Sequence, residues 1–111
     1  MLWYFILDQG GSRIAIGNGG FKGEPVEGTV EIGYSIVPEF QRHGYAFEGV
    51  GALVDWAFDH DDVRRVVAET LPELDGSQAL LRKLGFRRTV HASEPGLLRF
   101  ERFRAEHRGI N

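Results

Sequence analysis

A chain of 111 residues, 42% hydrophobic and 26% charged, fills one small core, so a single domain over residues 1–111 is expected. Its net charge of −3 leaves no general basic footprint for nucleic acid. It contains no cysteine, which excludes disulfides, zinc–thiolate sites and a cysteine nucleophile.

The chain opens on an apolar, aromatic stretch, residues 2–7. This is far short of the roughly 20 residues that span a bilayer. It also lacks the charged n-region and cleavage site of a signal peptide. A soluble, cytoplasmic protein with no membrane partner is therefore expected. Residues 3–8 read as a strand, and Gly10-Gly11 as the tight turn after it. Residues 13–17 are its antiparallel partner. Residues 18–28 form a glycine-rich connection containing Pro25, still extended over 20–22. Residues 29–37 form a third strand. Alternation puts Val30, Ile32, Tyr34 and Ile36 on one face, and Glu31, Gly33 and Ser35 on the other.

Pro38 opens a turn, and the loop Gln41-Arg42-His43-Gly44-Tyr45-Ala46 follows. A helix is predicted over about residues 45–60. Val50, Leu53, Val54, Ala57 and Phe58 recur at i, i+3, i+4, i+7 and i+8, a single buried stripe. Gly49 and Gly51 each cost that helix roughly 1 kcal/mol against alanine. Glycine there indicates close approach by a ligand or another backbone, or simple packing. Residues 64–71 are the next strand. The unbroken Val66-Val67-Ala68 suits a strand covered on both faces, and the helical crossover makes it parallel to the third.

Asp75-Gly76-Ser77-Gln78 has capping-box spacing, with Ser77 either in that box or inside the first turn, and introduces a short helix through Leu80, Leu81 and Leu84. Gly85 suits a left-handed C′ residue, with Phe86 folding back as its hydrophobic contact. Residues 86–91 form a strand, Pro95-Gly96 turns the chain, and residues 97–103 pair back antiparallel. Residues 104–111 are a polar, frayed tail. The predicted class is α/β of the α+β type. It has a mixed, mainly antiparallel sheet and the order β-β-β-α-β-α-β-β.

Strand, glycine-containing loop and helix together form a recurring phosphate cradle. Successive backbone N–H groups point at the anion, and the helix dipole favours negative charge at its first turn. Arg42 adds a mobile positive charge. The loop resembles motif A of the GNAT acetyltransferase superfamily, Q/R-x-x-G-x-G/A, with Gln41, Gly44 and Ala46 in the patterned positions. The flanks are similar to the branch that acetylates ribosomal-protein N-termini. They carry the Glu31-to-Tyr34 strand, Pro38-Glu39, the helix start from Gly44 to Glu48, then Ser77 and Leu84-Gly85-Phe86. GNAT domains begin earlier, with one more strand and two helices. The resemblance therefore implies a GNAT-like fold lacking that N-terminal part. An edge strand and apolar sheet surface should then be exposed. Self-association, as a homodimer or an exchanged one, is the simplest cover.

The resemblance implies acetyl-CoA as cosubstrate and a primary amine as acceptor, with no metal. The loop Gln41, Arg42, His43, Gly44, Tyr45 and Ala46 would bind the pyrophosphate. The backbones of Ile36 and Val37 would pair with the pantetheine arm like an added strand, which requires the strands on either side of the helix to splay. Glu31 is the candidate general base, directly or through water; otherwise it is an exposed strand carboxylate. Ser77 either donates to the leaving sulfur or caps its helix. Glu48 reads as a carboxylate complementing the helix dipole. Leu74 and Leu81 stand where relatives carry an asparagine and a tyrosine acid. His60 among Asp59, Asp61 and Asp62 reads as a solvated helix end rather than a metal site.

The expected activity is N-acetyl transfer by direct attack in a ternary complex. The alternative is a non-catalytic CoA-binding or assembly module. A dinucleotide-binding protein is disfavoured, because the cradle follows an antiparallel meander and lacks G-x-G-x-x-G spacing.

Overall fold

The computed structural model describes residues 2–41 and 43–104. Alternation and helical periodicity produce β1 (Leu2–Gln9), β2 (Ser12–Phe21) and β3 (Thr29–Ile36), then a 3-10 turn at Pro38–Phe40 and α1 (Tyr45–Phe58). After these come β4 (Arg65–Thr70), α2 (Asp75–Lys83), β5 (Arg87–Arg88) and β6 (Leu98–Phe103). The six strands form one sheet in the order β1-β2-β3-β4-β6-β5. Among the described residues only β3 and β4 pair in parallel, as the helical crossover requires. The element order and mixed sheet are those predicted.

Two strands differ from expectation by three residues or more. The first is β2, which does not stop at residue 17. It continues through the glycine-rich stretch, which is gripped on both sides: Gly19 pairs with Trp3 of β1 and with Tyr34 of β3. A Cβ on Gly19 would stand 2.8 Å from Leu53 and 2.9 Å from Phe5. The glycine lets α1 lie close against the sheet there. The second is β5, which is only Arg87–Arg88. The Thr89 hydroxyl donates to the His91 carbonyl at 3.0 Å and accepts from the His91 N–H at 3.2 Å. This local hydroxyl turn draws the chain out of the ladder.

Both helices pack on one face of the sheet. Val50, Leu53, Val54, Ala57 and Phe58 of α1 meet Val30 and Ile32 of β3, Val66 and Ala68 of β4, and Phe100 of β6. Leu81, Leu84 and Phe86 complete this core from α2 and its exit. Burying each large aliphatic side chain contributes about 1.5–3 kcal/mol. The end of α2 closes as predicted: the Gly85 N–H donates to the Arg82 carbonyl at 3.0 Å and the Phe86 N–H to the Leu81 carbonyl at 2.9 Å. That bond pair is the Schellman motif, with Phe86 buried on its own helix.

The opposite face carries charge over the centre of the sheet. Register sets Glu31, Val67 and Glu101 side by side across β3, β4 and β6. Lys22 pairs with Glu31 at 3.1 Å, and Arg65 with Glu101 at 3.0 Å. The expected open edge and apolar exposure coincide at β1, the strand at one end of the sheet. Leu2, Tyr4 and Ile6 of β1 are 58%, 64% and 47% exposed.

Trp3 and Phe5, on the inner side of β1, pack against the core. Trp3 meets Trp56 edge-on at 4.9 Å, and Phe21 stacks on Trp56 at 5.6 Å. No helix among the described residues is long and apolar enough to cross a membrane.

Candidate acyl-transfer site

The site begins where a ladder ends. β3 and β4 pair at Thr29 with Arg65, Val30 with Val66 and Glu31 with Val67. Both strands then run on, to Ile36 and to Thr70, without pairing each other. Each is held by its outer neighbour instead. Ile36 pairs with Gly17 of β2, and Thr70 with Leu98 of β6. A gap therefore opens between them beyond the Glu31–Val67 rung.

Hydrogen bonds show which backbone groups look into the gap. The Glu31 carbonyl accepts from the Lys22 N–H, and the Val37 N–H donates to the Ile16 carbonyl, both toward β2. By alternation, Tyr34 and Ile36 turn their N–H and C=O groups away from β2, toward the gap. Val37 is committed elsewhere, since its carbonyl accepts from the Phe40 N–H at 2.9 Å. Of the two residues expected to line this edge, only Ile36 faces it.

A cavity of about 360 Å³ lies in the gap, with Gly33 and Tyr34 on one wall and Glu69 and Thr70 on the other. Lys22 and Ser77 also line it. The Tyr34 and Ser77 hydroxyl oxygens are 2.9 Å apart. Burial raises the Tyr34 phenol above its ordinary value of 10.0, with the Ser77 hydrogen bond acting in the opposite direction. Ser77 lies within the first turn of α2, whose N-cap position, Leu74, makes no side-chain cap. The capping box does not form. The Ser77 hydroxyl turns to Tyr34, and the Gln78 amide donates to the Pro72 carbonyl at 2.8 Å.

Glu31 stands on the last paired rung, 24% exposed at its side chain, with Lys22 Nζ 3.1 Å from its carboxylate. It is joined to the cavity through Lys22. Leu81 is fully buried in the core, while Leu74 is exposed and lines the cavity.

Glu69 and Tyr34 are the residues that sequence reasoning missed. Alternation places Tyr34 on the core face and gives no sign of where its hydroxyl ends. Glu69 was hidden near the end of an apolar strand. Its side chain is 7% exposed, with Arg99 at 3.2 Å. The Ser93 N–H donates to it at 2.6 Å and the Ser93 hydroxyl at 2.5 Å. Burial pushes the Glu69 carboxyl upward, but the Ser93 and Arg99 bonds outweigh it and the net direction is below the ordinary 4.5.

The loop at the other end of the gap is arranged around Gly44. Its φ of 84° is left-handed, and it is the N-cap of α1 without any side-chain cap. A Cβ there would meet nothing within 4 Å. The N–H groups of Tyr45, Ala46 and Phe47 precede the first intrahelical bond, which runs from the Glu48 N–H to the Gly44 carbonyl at 3.1 Å. Gln41 folds back, its side-chain amide donating to the Ile36 carbonyl at 3.0 Å. His43 stacks on Tyr45 at 5.6 Å. Lys83 of α2 rests 4.8 Å over the Phe47 ring, which brings a cation beside that first turn. Glu48 is the first-turn carboxylate. The expectation for Arg42 lies outside the described residues, as does that for the tail at residues 105–111. Arg104, the first residue of that expected tail, is instead tied down, its N–H donating to the Arg64 carbonyl at 2.7 Å and its guanidinium to the Val63 carbonyl at 2.8 Å.

Gly49, inside α1, is explained by packing. A Cβ there would stand 2.8 Å from the Phe5 ring. His60 Nδ1 lies 2.9 Å from the Trp56 carbonyl. Among the described residues no group of three or more acidic or histidine side chains is set to hold a metal ion.

The chain is similar in sequence and in fold to known proteins. The acetyltransferase (GNAT) domain family matches residues 1–87. YjdG, an uncharacterized N-acetyltransferase of Bacillus subtilis (strain 168), is 39% identical over 72 residues, 64% of this chain and 43% of that protein. YnaD, another from the same organism, is 36% identical over 62 residues, 56% of this chain and 36% of that protein. The chain thus spans less than half the length of these two curated relatives.

Among solved structures, a GNAT-family acetyltransferase from Bacillus anthracis has a TM-score of 0.74 at 26% identity, covering 84% of this chain and 61% of that one. RimL, a ribosomal L7/L12 alpha-N-protein acetyltransferase in complex with coenzyme A, has a TM-score of 0.70 at 23% identity, over 80% of this chain and 55% of that one; this likeness is one of fold. The splayed parallel pair, the uncapped helix start behind Gly44 and the match over residues 1–87 agree: the chain belongs to the acetyltransferase (GNAT) domain family.

Proposed function

We propose that this chain binds acetyl-CoA along the gap between β3 and β4 and transfers its acetyl group to a primary amine, by direct attack in a ternary complex. The observation that carries this reading is the gap itself. It opens where β3 hands over to the α1 loop and closes at the Glu31–Val67 rung. The N–H groups around Gln41, Arg42, His43, Gly44, Tyr45 and Ala46 would hold the pyrophosphate at the helix start. The pantetheine amides would pair with the free edge of β3. Val37 is already bonded to Ile16 and Phe40, and the Ile36 carbonyl accepts from the Gln41 side chain, so the pairing falls to the Ile36 N–H and to Tyr34. Coenzyme A in the complex of the RimL neighbour supports this choice of ligand.

Acyl transfer needs a neutral amine, a polarised carbonyl and a stabilised leaving thiolate. Glu31 is proposed as the base that takes the amine proton, directly or through water. Ser77, at the cavity, is proposed to face the leaving sulfur. The acceptor is a protein N-terminus or a small amine. A cytoplasmic setting belongs to the same reading.

A second reading, a CoA-binding or assembly module without turnover, is favoured by Leu81, which is buried in the core and offers no proton. Calorimetric titration with acetyl-CoA, followed by thiol release against a panel of amines, separates the two. Binding with release supports the enzyme. Binding without release supports the module, and no binding overturns both.

We also propose a homodimer through β1. That strand is a sheet edge, and its outer row of Leu2, Tyr4 and Ile6 is exposed. An open edge with apolar side chains favours pairing with a second copy.

A further inference from the structure

We propose that Tyr34 and Ser77 form a two-hydroxyl relay to the departing thiolate, in which Ser77 meets the sulfur and Tyr34 is the positioning residue behind it. This rests on the acetyl-CoA reading above. The two hydroxyls come from different elements, 43 residues apart in sequence, and meet at 2.9 Å beside the cavity in the gap. Tyr34 lies two residues back along β3 from Ile36, roughly 7 Å at about 3.3 Å per residue. An arm anchored at the Gly44 loop and lying along that strand edge carries its far end to this pair.

The direction of the relay follows from acidity. A phenol is a stronger donor than an aliphatic hydroxyl. The Tyr34 O–H therefore donates to Ser77 Oγ and leaves the Ser77 O–H free for the cavity. Burial keeps Tyr34 protonated, so the donor is present at neutral pH. The charged groups lining the same cavity are Lys22, the residue after β2, and Glu69 from β4. Lys22 is held by Glu31, and Glu69 by Ser93 and Arg99. Neither competes for the two hydroxyls.

In the transfer step the amine lone pair forms the N–C bond to the acetyl carbonyl carbon. The C–S bond breaks and its electron pair goes to sulfur. The Ser77 proton moves to sulfur and the Tyr34 proton to Ser77 Oγ, and the phenolate regains a proton from water. The surplus amine proton leaves through Glu31 or water. The products are the N-acetyl amine and the CoA thiol. The relay supplies the donor that Leu81, buried in the core, does not.

The test uses CoA itself and needs no acceptor. The ionisation of its thiol, followed by thiolate absorbance, is compared free and bound. Binding to the unaltered chain should lower the thiol pKa by about one pH unit, the scale of one hydrogen bond to a charged acceptor. Tyr34→Phe keeps the ring and removes the donor, and should cancel most of that shift. Ser77→Ala should cancel it too, while Ser77→Thr keeps it. The double variant should lose no more than either single one, because the groups act in series.

CoA that binds with its thiol pKa unmoved by either variant overturns the relay and leaves the CoA site standing. A shift lost in Tyr34→Phe but kept in Ser77→Ala also overturns it. CoA that fails to bind the unaltered chain overturns both the relay and the acetyl-CoA reading. If Tyr34→Phe fails to fold, fluorotyrosine at position 34, which changes the acidity of the phenol and keeps its ring and hydroxyl, should move the bound thiol pKa, and a bound thiol pKa that stays unmoved would overturn the relay.

Discussion

Glu31 and Val67 form the last rung between β3 and β4. Beyond it each strand follows its outer neighbour, Ile36 with Gly17 and Thr70 with Leu98. Glu31 thus sits at the point of divergence, with its carboxylate 3.1 Å from Lys22. If it is the base, Glu31→Gln should lower turnover at least tenfold while CoA affinity stays within twofold. Stability should change by less than about 1 kcal/mol, since Lys22 is largely exposed. Turnover and calorimetry on the same preparation check this, and equal turnover removes Glu31 from the mechanism.

Gly44 allows strain to be separated from occlusion. Its φ of 84° disfavours any side chain, but a Cβ there meets nothing. Gly44→Ala should cost roughly 1–2 kcal/mol and lower the melting temperature by several degrees, with CoA binding retained. Gly44→Trp adds bulk in the cradle and should abolish CoA binding without unfolding the domain. Unchanged affinity in Gly44→Trp would contradict the cradle assignment.

Glu69 predicts an acid-sensitive contact. Its folded pKa lies below the ordinary 4.5, so the unfolded chain binds the proton more readily. The contribution to stability is therefore complete above about pH 4.5 and is lost as pH falls through the lower, folded value. Glu69→Gln should lower the melting temperature at neutral pH, and the difference from the unaltered chain should shrink as pH drops below that point. A difference that stays constant with pH would show that the Ser93 and Arg99 bonds do not favour the ionised form.

Gly49 sets helix propensity against packing. Alanine there gains roughly 1 kcal/mol of propensity. It also drives a Cβ to within 2.8 Å of the Phe5 ring, and overpacking costs about 1–3 kcal/mol. Gly49→Ala should therefore destabilise the domain by about 0–2 kcal/mol in denaturant melts. Adding Phe5→Leu, which removes the obstructing ring, should recover the propensity gain. A Gly49→Ala chain more stable than its parent would mean that Phe5 shifts aside freely.

The β1 edge predicts the oligomeric state. Scattering at micromolar concentration should report a dimer, and Tyr4→Lys with Ile6→Lys should dissociate it while leaving the melt cooperative. A monomeric unaltered chain would end the dimer proposal.

Much of this architecture was legible in the residues. The apolar stripe from Val50 to Phe58, the alternation from Val30 to Ile36 and the Gly85-Phe86 helix stop are local patterns. A few neighbouring residues suffice to specify them, and each appears where the pattern places it. The glycine loop between strand and helix was legible for the same reason, as a local backbone motif.

What the sequence could not supply was the identity of distant partners. Nothing near Ser77 indicates that its hydroxyl would leave the helix cap for Tyr34, 43 residues away. Nothing near Glu69 names Ser93 and Arg99. The length of β2 depended on β1 and β3 gripping its glycines from both sides. The sequence alone determined the elements, because dihedral preference and hydrophobic period act over a few residues. Only the tertiary structure decided the gap between β3 and β4 and the hydroxyl pair beside it, because pairing across a sheet and the hydrogen bonds of a cavity are made between groups that the chain itself keeps far apart.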